Sequence, residues 1–566
     1  MAKTPLFDRV TRIARIGSYC STENVGAAEG IERLAELELR RHRAGYTRRD
    51  ALTAGGLGAL AAAMAPLVGR KAWGRSTKKG SSARVAIVGG GIAGLCAADR
   101  LESAGIVPVI FDSNSRLGGR IKSYRGFPSS QVSEAGGEMI DTGHKTMIAY
   151  ARELGLTLED YNKASGDDLF YFFDGLIKEA DIVDEYCGMV ANMRPDLQAC
   201  SGAPTYYDHT AADVVLDTTN LRTYLDTRAA DLPKIREVLA QAYIAEYGLE
   251  PEEQSALNML LLLHLDCSRT FREFGVFSDE RYHVVEGNDQ ITAGIQDRLS
   301  ATIETGAKLT KLAKNSSGEY LLYFNKSATP QTFDAVVIAI PFSVLRSVTL
   351  DASLGLSAAK QNAINTLGYG ANCKTSILFD GRAWYDLANS NGTMYSDLPN
   401  FQNSWESNWT KAGDTAILTD YAGGTRGKNL QVVSTGSYCG SCHTGPVSDL
   451  NIDGALIQSQ VADFLAELER MVPGIRSRAL TASNGDYYAF RGHWLPQSGA
   501  KGSYTCYGPG QFTGVAGLEG ESVDALKFAG EHTDSFYDWQ GFMEGGANSG
   551  IAAADEILAD IKAGRI

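Results

Sequence analysis

The alternation of apolar and polar positions is clearest between residues 84 and 120, where it predicts a strand, a helix and a second strand. The run from Arg84 to Val88 is short and apolar, which is typical of a buried parallel strand. Apolar residues recur with helical spacing from Ile92 to Ala104, and a second apolar run extends from Val107 to Phe111. This order predicts a β-α-β unit, and therefore a parallel sheet.

Helical and strand patterns continue along the rest of the chain. Between residues 145 and 280, amphipathic helical segments such as Leu232 to Leu263 alternate with polar loops. The segment from Asp334 to Arg346 opens with an apolar strand that Pro341 ends, and Lys374 lies in a strand-like run after a glycine turn. We expect an α/β fold, with a Rossmann-like domain and a second, α+β domain.

Three glycines between the first strand and the helix have a spacing that suits a dinucleotide. Gly89 permits a tight turn, Gly91 lets the backbone approach a pyrophosphate, and Gly94 lets the helix pack closely on the strand. The helix N-terminus then directs free N–H groups at the phosphates. Asp112 ends the second strand, where an acid accepts hydrogen bonds from ribose hydroxyls. This acid disfavours NADP and leaves FAD or NAD.

The segment DSNSRLGGR, from Asp112 to Arg120, resembles the (D/E)xxxRxGGR signature of the flavin amine oxidase family. That family includes monoamine, polyamine and L-amino acid oxidases. The resemblance recurs through most of residues 84 to 560, and the ending DWQGFMEGGANSG is similar to that of bacterial L-amino acid oxidases. It implies FAD rather than NAD, with Arg120 in contact with the FAD pyrophosphate.

Further segments extend this resemblance to cofactor contacts. The stretch from Glu134 to Asp141 resembles the family segment whose glycine backbone passes the flavin ring, and Leu309 matches the strand that clamps adenine. Met543 would begin a helix whose positive end faces the flavin C2 carbonyl. The expected FAD contacts are Gly89, Gly91, Ile92, Ala93, Gly94, Asp112, Ser113, Arg116, Gly119, Arg120, Gly136, Gly137, Glu138, Leu309, Gly530, Glu531, Gly541, Phe542 and Met543. The matches assign residues 84–150, 281–346 and 501–566 to the FAD-binding domain, and residues 151–280 and 347–500 to a partly helical substrate-binding domain.

The resemblance also implies catalytic groups. Lys374 matches the family lysine that binds a water at flavin N5, although an exposed strand lysine is the alternative. Tyr504 and Phe542, with Trp539 nearby, would form aromatic walls around the reacting amine. Monoamine oxidases have a flavin-linked cysteine directly before this tyrosine, whereas Ser503 precedes Tyr504 here, so non-covalent FAD is expected.

One departure from the family pattern concerns the residue that binds the substrate carboxylate. Many L-amino acid oxidases grip the substrate carboxylate with the arginine of a G-x-M-R motif, but Ile140 follows Met139 in this chain. Arg382, Arg491 or another arginine would have to bind a carboxylate instead. Asp538, or another acid, would suit a basic side chain.

A flavin between aromatic walls indicates hydride transfer from the carbon bearing the amine to flavin N5. Oxygen would reoxidise the flavin and give hydrogen peroxide, and the imine would hydrolyse to a carbonyl compound and ammonia. Three hypotheses remain open: an L-amino acid oxidase that forms a 2-oxo acid, a monoamine or polyamine oxidase without carboxylate recognition, and a flavin-binding protein without turnover. The expected partners are a small amino acid or amine and molecular oxygen.

The net charge of the chain argues against some classes of binding partner. The chain has 566 residues and a net charge of -14, which argues against nucleic acid or an anionic membrane surface. Residues 1–83 are interpreted as a leader and linker, in which Arg48 and Arg49 precede a weakly apolar run from Ala51 to Val68. This resembles a twin-arginine export signal and would make the protein periplasmic or secreted. The run is too mildly hydrophobic for a stable membrane anchor. The alternative to an export signal is an N-terminal helix of a cytoplasmic enzyme.

A second motif is Cys439-Gly-Ser-Cys442-His443, which fits the C-x-x-C-H pattern of haem attachment. Its Gly/Ser-rich surroundings are also compatible with a disulfide or with two loop thiols. No zinc-ligand spacing occurs, so no metal is expected. The sequence leaves the quaternary state open, a homodimer included.

Overall fold

A computed structural model describes residues 83–161, 164–262, 279–411, 413–430 and 454–566. Residues 1–82, with the predicted twin-arginine motif, and the motif from Cys439 to His443 lie outside these ranges. No helix within them is long and apolar enough to cross a membrane.

The strands are β1 (Val85–Val88), β2 (Val109–Phe111), β3 (Ser123–Tyr124), β4 (Ser133–Glu134), β5 (Leu158–Asp160), β6 (Asp167–Phe172), β7 (Gly175–Ile177), β8 (Tyr282–Val284), β9 (Thr302–Glu304), β10 (Leu309–Lys314), β11 (Tyr320–Phe324), β12 (Ser327–Phe333), β13 (Ala335–Ile338), β14 (Thr349–Leu350), β15 (Cys373–Phe379), β16 (Ser390–Leu398), β17 (Phe401–Ser407), β18 (Ala416–Ala422), β19 (Ala489–His493) and β20 (Leu526–Phe528). The helices are α1 (Ile92–Ser103), α2 (Lys145–Glu153), α3 (Glu179–Ala199), α4 (Ala211–Thr218), α5 (Leu221–Arg228), α6 (Pro233–Tyr247), α7 (Ala256–Leu260), α8 (Asp289–Arg298), α9 (Phe342–Leu345), α10 (Ala358–Thr366), α11 (Ala383–Ala388), α12 (Gly424–Asn429), α13 (Gly454–Met471), α14 (Gln511–Gly514) and α15 (Met543–Lys562).

Five strands form a parallel sheet in the order β20-β13-β1-β2-β9. Strand β1 is buried along its whole length, as expected for a parallel strand with both faces covered. Strand β2 begins at Val109 rather than at Val107, and the intervening Pro108 has no N–H to donate to the ladder. All five strands come from residues 84–150, 281–346 and 501–566. The predicted α/β class, with helices on a parallel sheet, is confirmed.

Helices α1 and α15 pack together beside this sheet through glycines. A Cβ added to Gly550 of α15 would lie 2.0 Å from the carbonyl oxygen of Ala93 in α1. A Cβ added to Gly94 would lie 1.9 Å from the carbonyl oxygen of Gly89, so the helix can approach the end of β1 this closely only with glycine there. The close packing brings the first residues of both helices, Ile92 and Met543, to one cavity.

A second sheet has seven strands in the order β19-β15-β18-β17-β16-β6-β7, all drawn from residues 151–280 and 347–500. Helix α13 covers it, with Phe464 and Leu468 in a buried cluster that includes Ile377 of β15. Lys374 of β15 is opposite Tyr421 of the antiparallel strand β18. Because directly opposite residues project from the same face of a sheet, this register puts the lysine and the tyrosine on one side.

Replacing Gly550 by alanine is expected to separate α1 from α15 and to lower the free energy of unfolding by about 1–3 kcal/mol, the usual effect of overpacking. Thermal unfolding of the flavin-loaded protein measures this change. Gly514→Ala is the matched control, because a Cβ there meets no atom within 4 Å. Equal melting temperatures for Gly550→Ala and the control would contradict the close contact between the helices.

Candidate active site

A cavity of about 600 Å³ extends from the glycine turn after β1 to the face of the seven-stranded sheet. Most of the residues expected from the sequence line it: Gly89, Gly91, Ile92, Ala93, Asp112, Ser113, Arg116, Gly119, Arg120, Gly136, Gly137, Glu138, Leu309, Lys374, Tyr504, Gly530, Glu531, Gly541, Phe542 and Met543. These residues are far apart in the sequence, and the two sheets together bring them to the wall of one cavity.

The turn between β1 and α1 is shaped for a close approach of backbone. Gly89 has a φ of +109°, and a Cβ there would lie 2.6 Å from the carbonyl oxygen of Ala339. Helix α1 begins after Gly91 without a side-chain cap, so its first N–H groups are available to an anion at the cavity. Gly94 is the exception among the predicted glycines, because it packs against Gly89 and does not line the cavity.

Asp112 holds this turn from the end of β2. One carboxylate oxygen accepts a hydrogen bond from the N–H of Gly90 at 2.7 Å, and the other accepts from the N–H of Asn114 at 2.8 Å. Burial raises the pKa of Asp112 above its usual range, although these bonds act in the opposite direction. Asp112 therefore orders the glycine turn and lines the cavity, while its predicted contact with a ribose stays a prediction.

Arg120 connects three segments at the middle of the cavity. Its Nη1 donates to the carbonyl oxygen of Ser503 at 2.6 Å and lies 3.0 Å from Oε1 of Glu531. The other carboxylate oxygen of Glu531 accepts from the hydroxyl of Thr505 at 2.9 Å and from the N–H of Gly541 at 3.1 Å. The arginine is thus held in a fixed position at the cavity wall.

Lys374 forms the central ion pair of the site. Its Nζ lies 2.6 Å from Oε2 of Glu138 and donates to the carbonyl oxygen of Gly136 at 2.8 Å. The second oxygen of Glu138 accepts from the indole of Trp405 at 3.1 Å and from the hydroxyl of Ser407 at 3.0 Å. Lys374 is only 8% exposed, which excludes the alternative of an exposed strand lysine.

Aromatic rings surround this ion pair. The rings of Trp405 and Tyr421 are 4.9 Å apart, and the hydroxyl of Tyr421 lies 3.0 Å from that of Tyr504. Phe542 also lines the cavity. Burial raises the pKa of the Tyr421 and Tyr504 hydroxyls well above the usual range, so both rings stay neutral. The space beside Lys374 is therefore apolar on its walls and polar at a few fixed points.

The aromatic lining differs in part from the one expected. Trp539 does not line the cavity, because its ring packs against His144 at 4.7 Å, behind Phe542. Trp405 and Tyr421 take part instead. Sequence reasoning missed both, because their positions depend on pairing of β15, β17 and β18, which no local pattern reveals.

The three residues suggested for substrate binding do not line the cavity either. Arg382 pairs with Glu406 at 2.7 Å, so its charge is already neutralised. Arg491 is 1% exposed and donates to the hydroxyl of Thr375 at 3.0 Å, within the sheet. Asp538 lies in the turn before α15, where its N–H donates to the carbonyl oxygen of Ser535.

The residues present fit FAD. The uncapped N-terminus of α1 and the charge of Arg120 suit a pyrophosphate, and glycines at 136 and 137 keep the wall thin where a flat ring would pass. A Cβ at Gly137 would lie 2.7 Å from the sulfur of Met543, the first residue of α15. No cysteine is among the described residues that line the cavity, and the Ser503 hydroxyl is bonded to Asn372 at 2.6 Å.

Comparison with known proteins decides the family. The family model for flavin containing amine oxidoreductases matches residues 92–558. The chain belongs to this family. It is therefore a flavoprotein oxidoreductase, in which a small-molecule substrate and oxygen are the expected reactants.

Individual relatives are distant but cover most of the chain. An L-amino acid oxidase from Bothriechis schlegelii is 21% identical over 84% of this chain and 89% of its own length. An L-amino-acid oxidase from Siganus canaliculatus is 24% identical over 84% of this chain and 85% of its own. Cyclohexylamine oxidase from Brevibacterium oxydans has the same fold, with a TM-score of 0.69 and 19% identity over 85% of this chain and 99% of its own. Putrescine oxidase gives a TM-score of 0.68 at 17% identity, over 84% of this chain and 99% of its own.

Proposed function

We propose that the chain is an FAD-dependent oxidase that deaminates an L-amino acid to a 2-oxo acid, ammonia and hydrogen peroxide. The observation that carries this proposal is one continuous cavity, which has a dinucleotide turn at one end and Lys374, buried against Glu138 and aromatic rings, at the other. Bound FAD would supply hydride acceptance at N5 and the reduction of oxygen. The L-amino acid is supported by relatives that carry that name and align over 84% of the chain.

The FAD is proposed to be non-covalent. Gly89, Gly91, Asp112 and Arg120 would bind its pyrophosphate and ribose, and Leu309 would contact the adenine. Because Ser503 occupies the position directly before Tyr504 where monoamine oxidases have the flavin-linked cysteine, no thioether can form there. Acid precipitation of the purified protein should leave yellow flavin in the supernatant and a colourless pellet. A yellow pellet would contradict non-covalent binding.

The aromatic rings have a defined task in this reaction. A protonated amine cannot release its α-hydrogen as hydride, so the substrate must react as the neutral amine. Trp405, Tyr421 and Tyr504 exclude water and present uncharged faces, which favour that neutral form. Their fixed hydrogen bonds hold them in place, so the amine is oriented rather than merely enclosed.

The second candidate is oxidation of an amine that has no carboxylate. It is favoured by one observation: Arg382 and Arg491 bind other groups, and neither lines the cavity. Among the described residues, the substrate-binding segments contribute Lys374 and no arginine to the cavity wall.

Matched pairs of substrates separate these two candidates. Peroxide and ammonia should form from at least one L-amino acid, such as L-leucine, L-phenylalanine or L-lysine. The corresponding decarboxylated amines, isopentylamine, phenethylamine and cadaverine, should react much more slowly. Turnover of the amines without their amino acids would establish the second candidate, and no turnover of any compound would leave a flavin-binding protein without activity.

Lys374→Met tests the role of the buried ammonium. We expect the lysine to stabilise negative charge that develops on oxygen during flavin reoxidation. Stopped-flow mixing should show flavin reduction within about tenfold of wild type. Reoxidation should slow on the order of a hundredfold, the typical loss for one positioned charge stabiliser.

Two controls make this test specific. Lys374→Met combined with Glu138→Gln removes the unpaired buried carboxylate that the single change would leave. Lys562→Met removes a lysine charge from the exposed end of α15 and should change neither half-reaction. If both half-reactions slow equally in the single and double variants, Lys374 has only a structural role.

A further inference from the structure

Glu246 lies in the last turn of α6 and lines the aromatic end of the cavity. Its backbone carbonyl accepts a hydrogen bond from the hydroxyl of Tyr504, which in turn contacts the hydroxyl of Tyr421. Tyr421 is opposite Lys374 in the sheet, and the Lys374 ammonium lies 5.9 Å from its ring centroid. These contacts connect the backbone of Glu246, through the two tyrosines, with Lys374 at the aromatic end of the cavity.

The carboxylate of Glu246 differs from the others in the cavity. Glu138 and Glu406 form ion pairs with Lys374 and Arg382, whereas no described side chain donates a hydrogen bond to the Glu246 carboxylate or forms an ion pair with it. Burial raises the pKa of Glu246, and its charge contributes to the raised pKa of Tyr421. A carboxylate that faces a cavity without a partner is a strong point of attachment for a cation.

The position of Glu246 in the last turn of α6 is also unfavourable for the stability of the helix. The C-terminal end of a helix carries partial negative charge, so an acid in the last turn is repelled by it. Helix α6 has no basic residue in that turn, and Gly248 caps its C-terminal end. Both the helix end and the carboxylate thus contribute negative potential to the same part of the cavity.

The charged residues among the described cavity lining also favour a cationic group. The substrate-binding segments contribute four acids, Asp168, Glu246, Glu280 and Glu406, of which Glu406 is paired with Arg382. Their only basic residue in the lining other than histidine is Lys374, which is paired with Glu138. A substrate that carries a second positive charge would complement this lining. A substrate with an apolar end would leave the Glu246 carboxylate without a partner.

We propose that Glu246 binds a second cationic group of the substrate, an ammonium or guanidinium placed away from the reacting amine, and so selects basic L-amino acids or diamines. This inference rests on the proposed oxidase activity and specifies its substrate class. The reacting amine stays neutral beside Lys374 and the aromatic rings, while the distant group stays protonated beside Glu246.

Two pairs of compounds of equal length test the selection. L-ornithine and L-norleucine differ in having an ammonium or a methyl group at the end of the side chain, and cadaverine and hexylamine differ in the same way. Wild-type enzyme should prefer the basic member of the reactive pair by at least about tenfold in kcat/KM. The pair that reacts identifies whether the basic substrate is an amino acid or a diamine.

Glu246→Gln should abolish most of this preference by raising KM for the basic compound. The kcat/KM for the neutral compound should stay the same or increase. Glu246→Asp keeps the charge and should retain part of the preference. Glu252→Gln is the matched control, because it removes an exposed glutamate charge just beyond α6. The visible flavin spectrum of each variant checks that the protein is folded and loaded.

The outcomes separate this inference from the proposed function. Equal rates for basic and neutral compounds, or a preference that survives in Glu246→Gln, would overturn the role of Glu246 and leave the oxidase activity standing. No peroxide from any of the four compounds or from the wider substrate set would overturn the oxidase activity, and the role of Glu246 with it.

Discussion

The buried ion pair between Lys374 and Glu138 connects the two parts of the molecule at the point where they meet. Glu138 comes from the segment that follows the glycine turn, and Lys374 comes from the middle of the seven-stranded sheet. Trp405 and Ser407 complete the hydrogen bonding of the glutamate, so neither charge is left without a partner. Because breaking a buried pair leaves an uncompensated charge, this contact holds the ammonium in its position at the cavity wall.

The end of the cavity at the glycine turn is ordered in the same way, by groups that bind each other. Asp112 holds the glycine turn, and Glu531 holds Arg120 and the segment before α15. These contacts hold the first residues of α1 and α15 at one cavity. Close glycine contacts between the two helices make this arrangement possible.

Local patterns in the sequence predicted the parts of the site that local structure determines. The glycine turn, the start of α1 at Ile92 and the strand around Lys374 are found where the patterns indicate. The start of α15 at Met543 is found where the resemblance to the family implies it. Contacts that depend on pairing between distant strands were not accessible in this way. The register of β15, β17 and β18 brings Trp405 and Tyr421 to the lysine, and the pairing of Arg382 with Glu406 withdraws that arginine from the cavity.

We propose that one cavity holds an amine beside the flavin and beside Lys374. Anaerobic titration of the purified flavoprotein with its amine or amino acid measures this most directly, through the visible absorbance of the flavin. We expect the absorbance to bleach without any added electron acceptor and to return when oxygen is admitted, with peroxide formed in equal amount to the flavin reoxidised. An absorbance that does not change with any amine or amino acid, or a reduced flavin that persists in air, would contradict it.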